Sequence, residues 1–300
     1  MGFFNRLIAK TLPYTPKPLV KVVAMRYIAG VTVEEAMKTI EELNRGGSLA
    51  TVDLLGEFVK SREVAAKETR QILSILDKIA QRQVKSGLSV KLTFLGLDVS
   101  PEFCRENLRR ILEKACQLGI FVRIDMENSP YTDETFQIGL EMWNEFQGTV
   151  GLVLQAYLRR TLSDIEALAP SGISFRLCKG IYVEPEEIAY TDREEVRQNY
   201  LRCLAAILDR GSFVGIATHD DVLIDGARRM IAERGLDRDD YEFQMLLGVR
   251  EQKRRELIDE GHRMRVYVPF GQDWYGYSIR RLKENPAIAG YVFKALFTGD

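Results

Sequence analysis

Eight short apolar segments, each followed by a helical segment, are the feature that most restricts how this chain of 300 residues can fold. The apolar segments are TVDLL, LSVKLTF, IFVRID, VGLVLQ, ISFRLC, FVGIAT, YEFQML and MRVYVP. Their near-continuous Val, Ile and Leu content is typical of parallel strands that are covered on both faces. Strict alternation of strand and helix predicts a parallel sheet, and eight units over about 250 residues is the number found in a (β/α)8 barrel.

The helical segments carry ordinary start and stop signals. One of them begins with Ser100 as N-cap and Pro101 at the first helical position, and it ends at Gly119. No linker-like stretch or repeat interrupts the series. We therefore predict an α/β fold, a TIM-type (β/α)8 barrel, with residues 1–47 as an N-terminal helical segment and residues 48–300 as the catalytic barrel. A doubly wound parallel sheet is the alternative that the pattern leaves open.

Charge and cysteine content exclude several classes of protein. The 42 Lys and Arg nearly balance the 43 Asp and Glu, which argues against a nucleic-acid partner. The four cysteines show no C-x-x-C spacing, and His219 and His262 are the two histidines. We therefore predict no metal site of a familiar zinc or iron–sulfur type, and reduced cysteines in an intracellular compartment.

The N-terminal residues bear on membrane contact. No apolar run reaches the roughly 18 residues of a spanning helix, and the chain start lacks a signal-peptide core and cleavage site. The first ten residues contain the apolar Phe3 and Phe4 together with the basic Arg6 and Lys10, a composition typical of a helix that lies on a membrane surface. We favour an N-terminal helix that covers the core, in a cytoplasmic protein, and leave peripheral contact with the inner face of the membrane open.

Polar side chains stand at or just after the predicted strand ends, where barrel enzymes carry their working residues. In chain order they are Asp53, Glu57, Lys91, Asp125, Glu127, Gln155, Arg176, Lys179, Thr218, His219, Glu242, Gln244 and Tyr267, followed on the last helix by Arg280, Arg281 and Glu284. Because an unpaired buried charge is costly, charged residues of both signs at one barrel mouth predict a functional site.

Structural explanations compete with function at several of these positions. Arg280 and Glu284 have the i,i+4 spacing of a surface salt bridge. Arg176 and Asp125 could form a structural ion pair inside the barrel. We expect Asp220 or Asp221 to cap the next helix rather than to bind a metal with His219.

The residues indicate a small carboxylate as ligand. Arg280 and Arg281 are adjacent, and guanidinium groups bind carboxylates in pairs of hydrogen bonds, with Lys91 as a further cation. The sequence contains no P-loop or dinucleotide-binding fingerprint, and no triad-like pattern favours hydrolysis. A barrel enzyme acting on a small carboxylate fits these facts. A Schiff-base lyase using Lys91 or Lys179 fits them too, and so does a carboxylate-binding protein without catalysis.

Eight stretches of the sequence together resemble the proline dehydrogenase family, in its short monofunctional bacterial form. They are DLLGE, VKLTFLGLD, RIDMEN, VLQAYLRRT, FRLCKGIY, IATHD, YEFQMLLGVR and RVYVPFGQDWYGYSIRRLKENP, and they follow the family order. The resemblance implies a distorted barrel with non-covalently bound FAD. It also implies oxidation of L-proline to Δ1-pyrroline-5-carboxylate, the first step of proline catabolism to glutamate, with electrons passed to a membrane quinone.

The resemblance also implies roles for individual residues. Lys91, Arg280 and Arg281 would hold the proline carboxylate, Tyr267 would pack on the proline ring, and Tyr182 would help close the pocket. Glu57 would form a gating ion pair with Arg280. Asp125 and Arg176 would be the catalytic residues where flavin and substrate meet. The residues expected around FAD are Met126, Gln155, Lys179, Gly180, Ile181, Thr218, His219 and Glu284.

Three positions depart from the family pattern. Ile181 stands where alanine is usual in KGAY, Leu247 stands where tyrosine is usual, and Gln272 stands where arginine is usual before Asp273-Trp274. These departures concern loop packing and flavin contacts, and they leave the substrate-clamping residues intact.

Overall fold

Eight parallel strands close into a barrel in the computed structural model, which describes residues 25–278. The strands are β1 Leu49–Leu54, β2 Ser86–Val90, β3 Val122–Ile124, β4 Val150–Gln155, β5 Ser174–Cys178, β6 Val214–Ala217, β7 Tyr241–Leu246 and β8 Met264–Phe270. Each strand pairs with its neighbours in sequence, and β8 pairs with β1, where Tyr267 lies opposite Thr51. The predicted (β/α)8 barrel is confirmed, and the doubly wound alternative is wrong.

Helices connect consecutive strands around the barrel. They are α1 Val33–Arg45, which precedes β1, then α2 Arg62–Arg82, α3 Pro101–Leu118, α4 Thr132–Glu145, α5 Thr161–Leu168, α6 Arg193–Asp209, α7 Asp221–Arg234 and α8 Glu251–Asp259. Side chains cap several N-termini as the sequence predicts. The Ser100 hydroxyl accepts a hydrogen bond from the Phe103 amide at the start of α3, and Gly119 ends that helix in the left-handed conformation.

The end of β2 differs from its prediction. The segment LSVKLTF reads as one strand, but β2 ends at Val90 and residues 92–99 form tight turns. Backbone bonds from the Leu95 amide to the Lys91 carbonyl and from the Leu97 amide to the Leu92 carbonyl close these turns. Their leucines are buried, so the segment is as apolar as a strand while having another geometry. Lys91 therefore follows β2 instead of lying within it.

Alternate strand positions separate the apolar core from a polar barrel interior. Ala50 and Val52 of β1, and Leu88 and Val90 of β2, belong to the buried apolar cluster that the helices also join. Thr51, Asp53 and Ser89 occupy the intervening positions and are buried as well. This period of two directs polar side chains of several strands toward one another inside the barrel.

Some predictions fall on residues that the structure does not describe. Arg280, Arg281, Glu284 and the N-terminal helix over the first residues lie outside the range 25–278. The domain division at residues 47 and 48 stays a prediction, although β1 begins close to it. Within the described range, no helix is both long enough and apolar enough to cross a bilayer.

Candidate active site

Asp125 is the centre of a hydrogen-bonded group at the carboxyl end of the barrel. It directly follows β3, and its Oδ1 accepts hydrogen bonds from Arg176 Nη1 at 2.6 Å and from Ser89 Oγ at 3.1 Å. Its Oδ2 accepts one from the Tyr267 hydroxyl at 2.8 Å. Only 13% of the Asp125 side chain and 8% of the Arg176 side chain are exposed. The structure therefore brings together three of the predicted site residues in one buried, charge-assisted group.

Tyr267 is held in place on two sides. Its hydroxyl donates the hydrogen bond to Asp125 described above. Its ring centroid lies 5.3 Å from the guanidinium carbon of Arg176, which is a cation–π contact. Burial and the neighbouring carboxylates Asp125 and Asp53 raise the pKa of Tyr267 well above its ordinary value. The phenol thus stays protonated and donates its hydrogen bond at neutral pH.

Lys91 forms a buried ion pair with Asp53, a residue to which the sequence analysis gave no role. Lys91 Nζ lies 2.8 Å from Asp53 Oδ1. Burial by itself would lower the pKa of Lys91, but the carboxylates of Asp53, Asp125 and Glu127 outweigh it and raise that pKa. Burial raises the pKa of Asp53, against the opposing influence of Lys91. Lys91 therefore carries its positive charge at neutral pH.

Lys179 lies on the other side of the barrel mouth in a second ion-pair cluster. Its Nζ contacts Asp220 Oδ2 at 3.1 Å, and Arg197 of α6 binds the same carboxylate at 2.9 and 3.0 Å. Burial alone would raise the pKa of Asp220, but Arg197 and Lys179 lower it to about 2. Asp220 also caps α7 by accepting a hydrogen bond from the Val222 amide. The predicted capping role is confirmed.

Thr218 and His219, which follow β6, form hydrogen bonds next to the Asp220 ion-pair cluster. Thr218 Oγ1 accepts a hydrogen bond from the Asp220 amide at 3.2 Å. His219 Nε2 accepts one from the Leu246 amide at 2.9 Å, which ties the end of β6 to β7. The described residues hold no group of three or more His, Cys, Asp and Glu side chains that could bind a metal ion.

Gln155 and Gly180 are two further predicted site residues, and each has an unusual environment. Gln155 ends β4 and is 3% exposed, and its Oε1 atom is buried without a hydrogen-bond partner among the described residues. Gly180 has φ of +107°, and a Cβ there would lie 2.1 Å from the ring of Tyr157. Met126 is buried in the main apolar cluster, whereas Ile181 is 41% exposed. Gln155 Oε1 is therefore a buried acceptor to which water or a bound molecule can donate.

Two loops carry the predicted gate and lid residues. Glu57 is half-buried between β1 and α2, and the adjacent Phe58 has φ of 55° and donates its amide to Thr93 Oγ1 at 2.9 Å. Tyr182 is half-buried in the loop from β5 to α6, near Glu184, whose carboxylate accepts two hydrogen bonds from Ser129. The Glu57–Arg280 gate stays a prediction because Arg280 lies outside the described residues.

Two further polar residues hold Arg176, and the sequence analysis assigned neither a role. Gln244 of β7 accepts a hydrogen bond from Arg176 Nε at 2.6 Å, and Ser89 Oγ lies 3.4 Å from Arg176 Nη1. Both are buried polar residues that lie next to apolar residues in their strands. That contrast is the signal by which sequence reasoning could have found them.

The sequence matches a family model described as proline dehydrogenase over residues 36–293. The chain belongs to the proline dehydrogenase family. Proline dehydrogenase 2 of Bacillus subtilis is 40% identical, with 92% of this chain and 91% of that protein covered. Proline dehydrogenase of Deinococcus radiodurans is 35% identical, with 92% and 90% covered. The predicted family, in its short bacterial form, is confirmed.

Solved structures of larger proteins contain the same barrel. Proline utilization A from Bdellovibrio bacteriovorus, inactivated by N-propargylglycine, matches with a TM-score of 0.82 at 26% identity. The match covers 88% of this chain and 33% of that chain. Proline utilization A from Bradyrhizobium japonicum matches with a TM-score of 0.75 at 22% identity, which supports the fold alone. This proline dehydrogenase family member thus spans about a third of those proteins.

Proposed function

We propose that this protein oxidises L-proline to Δ1-pyrroline-5-carboxylate with non-covalently bound FAD and passes the electrons to a membrane quinone. The observation that carries the proposal is the buried Asp125–Arg176–Tyr267 group at the carboxyl end of the barrel, in a member of the proline dehydrogenase family. The reaction removes a hydride from the ring carbon beside the nitrogen and a proton from the nitrogen. When bound, the flavin would accept that hydride.

The donors and acceptors at the barrel mouth fit a flavin ring, which presents an N–H group between two carbonyl groups. The buried Gln155 Oε1 lacks a donor among residues 25–278, and such an N–H group would supply one. Arg176 Nη2 makes no hydrogen bond within the same residues, so it is available as a donor to a bound molecule. Met126, Lys179, Gly180, Ile181, Thr218, His219 and Glu284 would complete the cofactor site.

The positive charge of Arg176 has a chemical role in this proposal. Negative charge develops on a flavin when it accepts a hydride, and a fixed cation in a buried site stabilises that charge more than it would in water. Asp125 holds Arg176 through Nη1 and holds Tyr267 through its other oxygen. Asp125 would therefore fix both the cation and the aromatic wall of the substrate pocket.

The substrate would be held by its carboxylate and enclosed by aromatic side chains. Lys91, which keeps its positive charge, would bind the carboxylate together with Arg280 and Arg281. Tyr267 would pack on the proline ring, and Tyr182 would help to close the pocket. A Glu57–Arg280 ion pair would then exclude water, so that binding orients proline in a dry site.

The ion pairs of the two lysines argue against a Schiff-base lyase. Such an enzyme needs a neutral amine as nucleophile. Lys91 and Lys179 each lie within 3.1 Å of a buried carboxylate, and Lys91 has a raised pKa. Both lysines are therefore poor candidates for a covalent intermediate with a carbonyl substrate.

A membrane quinone as acceptor requires the protein to reach the bilayer surface. Ile181 and Val183 are exposed on the loop between β5 and α6, and Val183 is fully exposed. Val183 and the N-terminal residues Phe3 and Phe4 support peripheral contact with the inner face of the membrane. Sedimentation with vesicles of anionic lipid tests this contact.

The function is tested by identifying the cofactor and the product. We expect the purified protein to release FAD on denaturation, and to form a pyrroline when proline and a water-soluble quinone analogue are supplied together. Borohydride added with a small keto acid in place of proline should leave Lys91 and Lys179 unmodified, because a lysine forms a Schiff base only with a carbonyl substrate. A borohydride-trapped lysine adduct without flavin would favour the lyase, and proline binding without turnover in FAD-loaded protein would favour a carboxylate-binding protein.

A further inference from the structure

A line of hydrogen-bonded side chains, Gln244, Glu242 and Arg265, extends behind Arg176. Gln244 Oε1 accepts a hydrogen bond from Arg176 Nε at 2.6 Å, and Gln244 Nε2 donates one to Glu242 Oε1 at 2.6 Å. Glu242 Oε1 also accepts from Arg265 Nε at 2.5 Å, and Arg265 Nη1 donates to the Ala50 carbonyl at 2.7 Å. Gln244 is 6% exposed and Glu242 is 1% exposed. Arg176 is therefore anchored by strands other than its own.

The chemistry of the two neighbours fixes the orientation of the Gln244 amide. Burial alone would raise the pKa of Glu242, but Arg265, Gln244 and Arg123 together lower it, so Glu242 is an anion. A carboxylate only accepts hydrogen bonds, and a guanidinium only donates them. Between these two groups, the amide must turn its NH2 to Glu242 and its oxygen to Arg176. The reversed orientation would lose both bonds.

We propose that Gln244 is the positioning residue of Arg176, which it fixes in place without neutralising its positive charge. This inference rests on the proposed function, in which Arg176 faces the flavin and proline. A carboxylate at position 244 would add a second anion next to Arg176, beside Asp125. A neutral amide supplies the second anchor and leaves the charge to act on the bound molecules.

Gly215 of β6 shows how closely the Gln244 amide is packed. A Cβ at this position would lie 2.2 Å from Gln244 Nε2 and 2.7 Å from its side-chain carbonyl carbon. The glycine is not in the left-handed region, so the reason for it is space. Gly215→Ala should therefore displace the amide while keeping its chemistry. It is a perturbation of the Arg176 anchor that is independent of any change at position 244.

Four variants separate positioning from general loss of stability. Gln244→Leu removes both hydrogen bonds, and Gly215→Ala displaces the amide. The double variant Glu242→Gln with Gln244→Glu exchanges the two groups, so that Arg265, residue 242, residue 244 and Arg176 can again form an unbroken line of bonds. Asn107→Leu is the matched control, because Asn107 is a buried amide on α3 that donates to the Leu95 carbonyl at 3.0 Å.

The first measurement needs neither flavin nor turnover. In protein labelled with 15N-arginine, the Arg176 Nε–H resonance is assigned by its loss in Arg176→Met. We expect its exchange with solvent to speed up by roughly tenfold or more in Gln244→Leu and in Gly215→Ala, because one buried hydrogen bond is worth roughly 1.5–3 kcal/mol when a charged group takes part. The resonance should be unchanged in Asn107→Leu.

The second measurement uses FAD-loaded protein. In Gln244→Leu we expect kcat for proline to fall roughly tenfold to a hundredfold with little change in KM, as expected for a misplaced catalytic group. The flavin reduction potential should fall, because the reduced anion loses a nearby cation. The exchanged double variant should hold Arg176 Nε–H as in the parent chain, because its carboxylate at position 244 again accepts from Arg176 and its amide at position 242 again bridges to Arg265.

Each outcome decides for or against the positioning role. Unchanged Arg176 exchange in both Gln244→Leu and Gly215→Ala would overturn it, and so would equal losses of kcat in Gln244→Leu and Asn107→Leu. If Gln244→Leu does not fold, the same measurements on Gly215→Ala and on the exchanged double variant test the proposal. If the parent chain binds no flavin and does not oxidise proline, the proposed function fails, and the exchange measurement still decides whether Gln244 anchors Arg176.

Discussion

Replacing Asp220 by asparagine removes one negative charge from a point where three cations converge. Lys179 lies 3.1 Å from the carboxylate, Arg197 binds both of its oxygens, and Arg193 lies 3.8 Å away. Only 3% of the Asp220 side chain is exposed. Asparagine is as good an N-cap as aspartate, so Asp220→Asn keeps the start of α7 and isolates the contribution of the charge.

The size of the effect follows from the pKa of Asp220. Burial would raise this pKa, but Arg197 and Lys179 lower it from 3.8 to about 2 in the folded protein. A depression of this size corresponds to roughly 2 kcal/mol of folding stability. Because the folded-state pKa is the lower one, this stability is fully present above about pH 4 and is lost as the pH falls toward about 2. We expect Asp220→Asn to unfold more easily by that amount at neutral pH.

Urea unfolding of both proteins from pH 7 to pH 3 measures the difference. Asp221→Asn is the control, because Asp221 is the adjacent residue, its side chain is 55% exposed, and it pairs with Arg250 at 2.8 Å. This surface pair should contribute less than about 1 kcal/mol. A difference below about 0.5 kcal/mol for Asp220→Asn at pH 7, or one that does not shrink on acidification, would refute the reasoning.

Three further predictions concern the substrate site. Asp53→Asn removes the nearest carboxylate that raises the pKa of Lys91, so the alkaline rise in KM for proline should move to lower pH; an unmoved rise would mean that Lys91 does not bind the substrate. Arg280→Met and Arg281→Met should each weaken the carboxylate clamp by roughly 2–5 kcal/mol, seen mainly in KM, and near-normal KM values in both would restore the surface salt-bridge interpretation. Comparison of kcat/KM for proline and trans-4-hydroxyproline should show roughly 10- to 200-fold preference for proline. Tyr267→Ser should narrow that ratio, and an unchanged ratio would place Tyr267 away from the substrate.

The strands were predictable because burial on both faces leaves a clear signature. VGLVLQ and YEFQML coincide with β4 and β7 to the residue. The end of β2 was not predictable in this way. Leu92, Leu95 and Leu97 are as apolar as a strand, yet they pack in turns, and a short apolar run does not distinguish these two geometries.

The sequence predicts which charged residues belong to the site, but it does not predict which side chains form hydrogen bonds with one another. Asp125, directly after β3, and Arg176, within β5, are conspicuous as charges beside apolar strand residues, and the structure joins them directly. Gln244 stands out in the sequence as a polar strand residue, but its position alone does not identify its partner. Its contact with Arg176 depends on the register of three strands, in which Arg176 lies opposite Gly215 and Gly215 opposite Glu242. Only the closed barrel sets that register.

An anaerobic absorbance spectrum before and after the addition of L-proline tests the central claim most directly. We expect the purified protein to show the visible absorbance of a bound flavin, and we expect proline to bleach it without any other electron donor. Arg176→Met, which loses the bond to Asp125, should bleach far more slowly. A colourless protein that gains no flavin on incubation with FAD, or a bound flavin that proline leaves oxidised, would contradict the account.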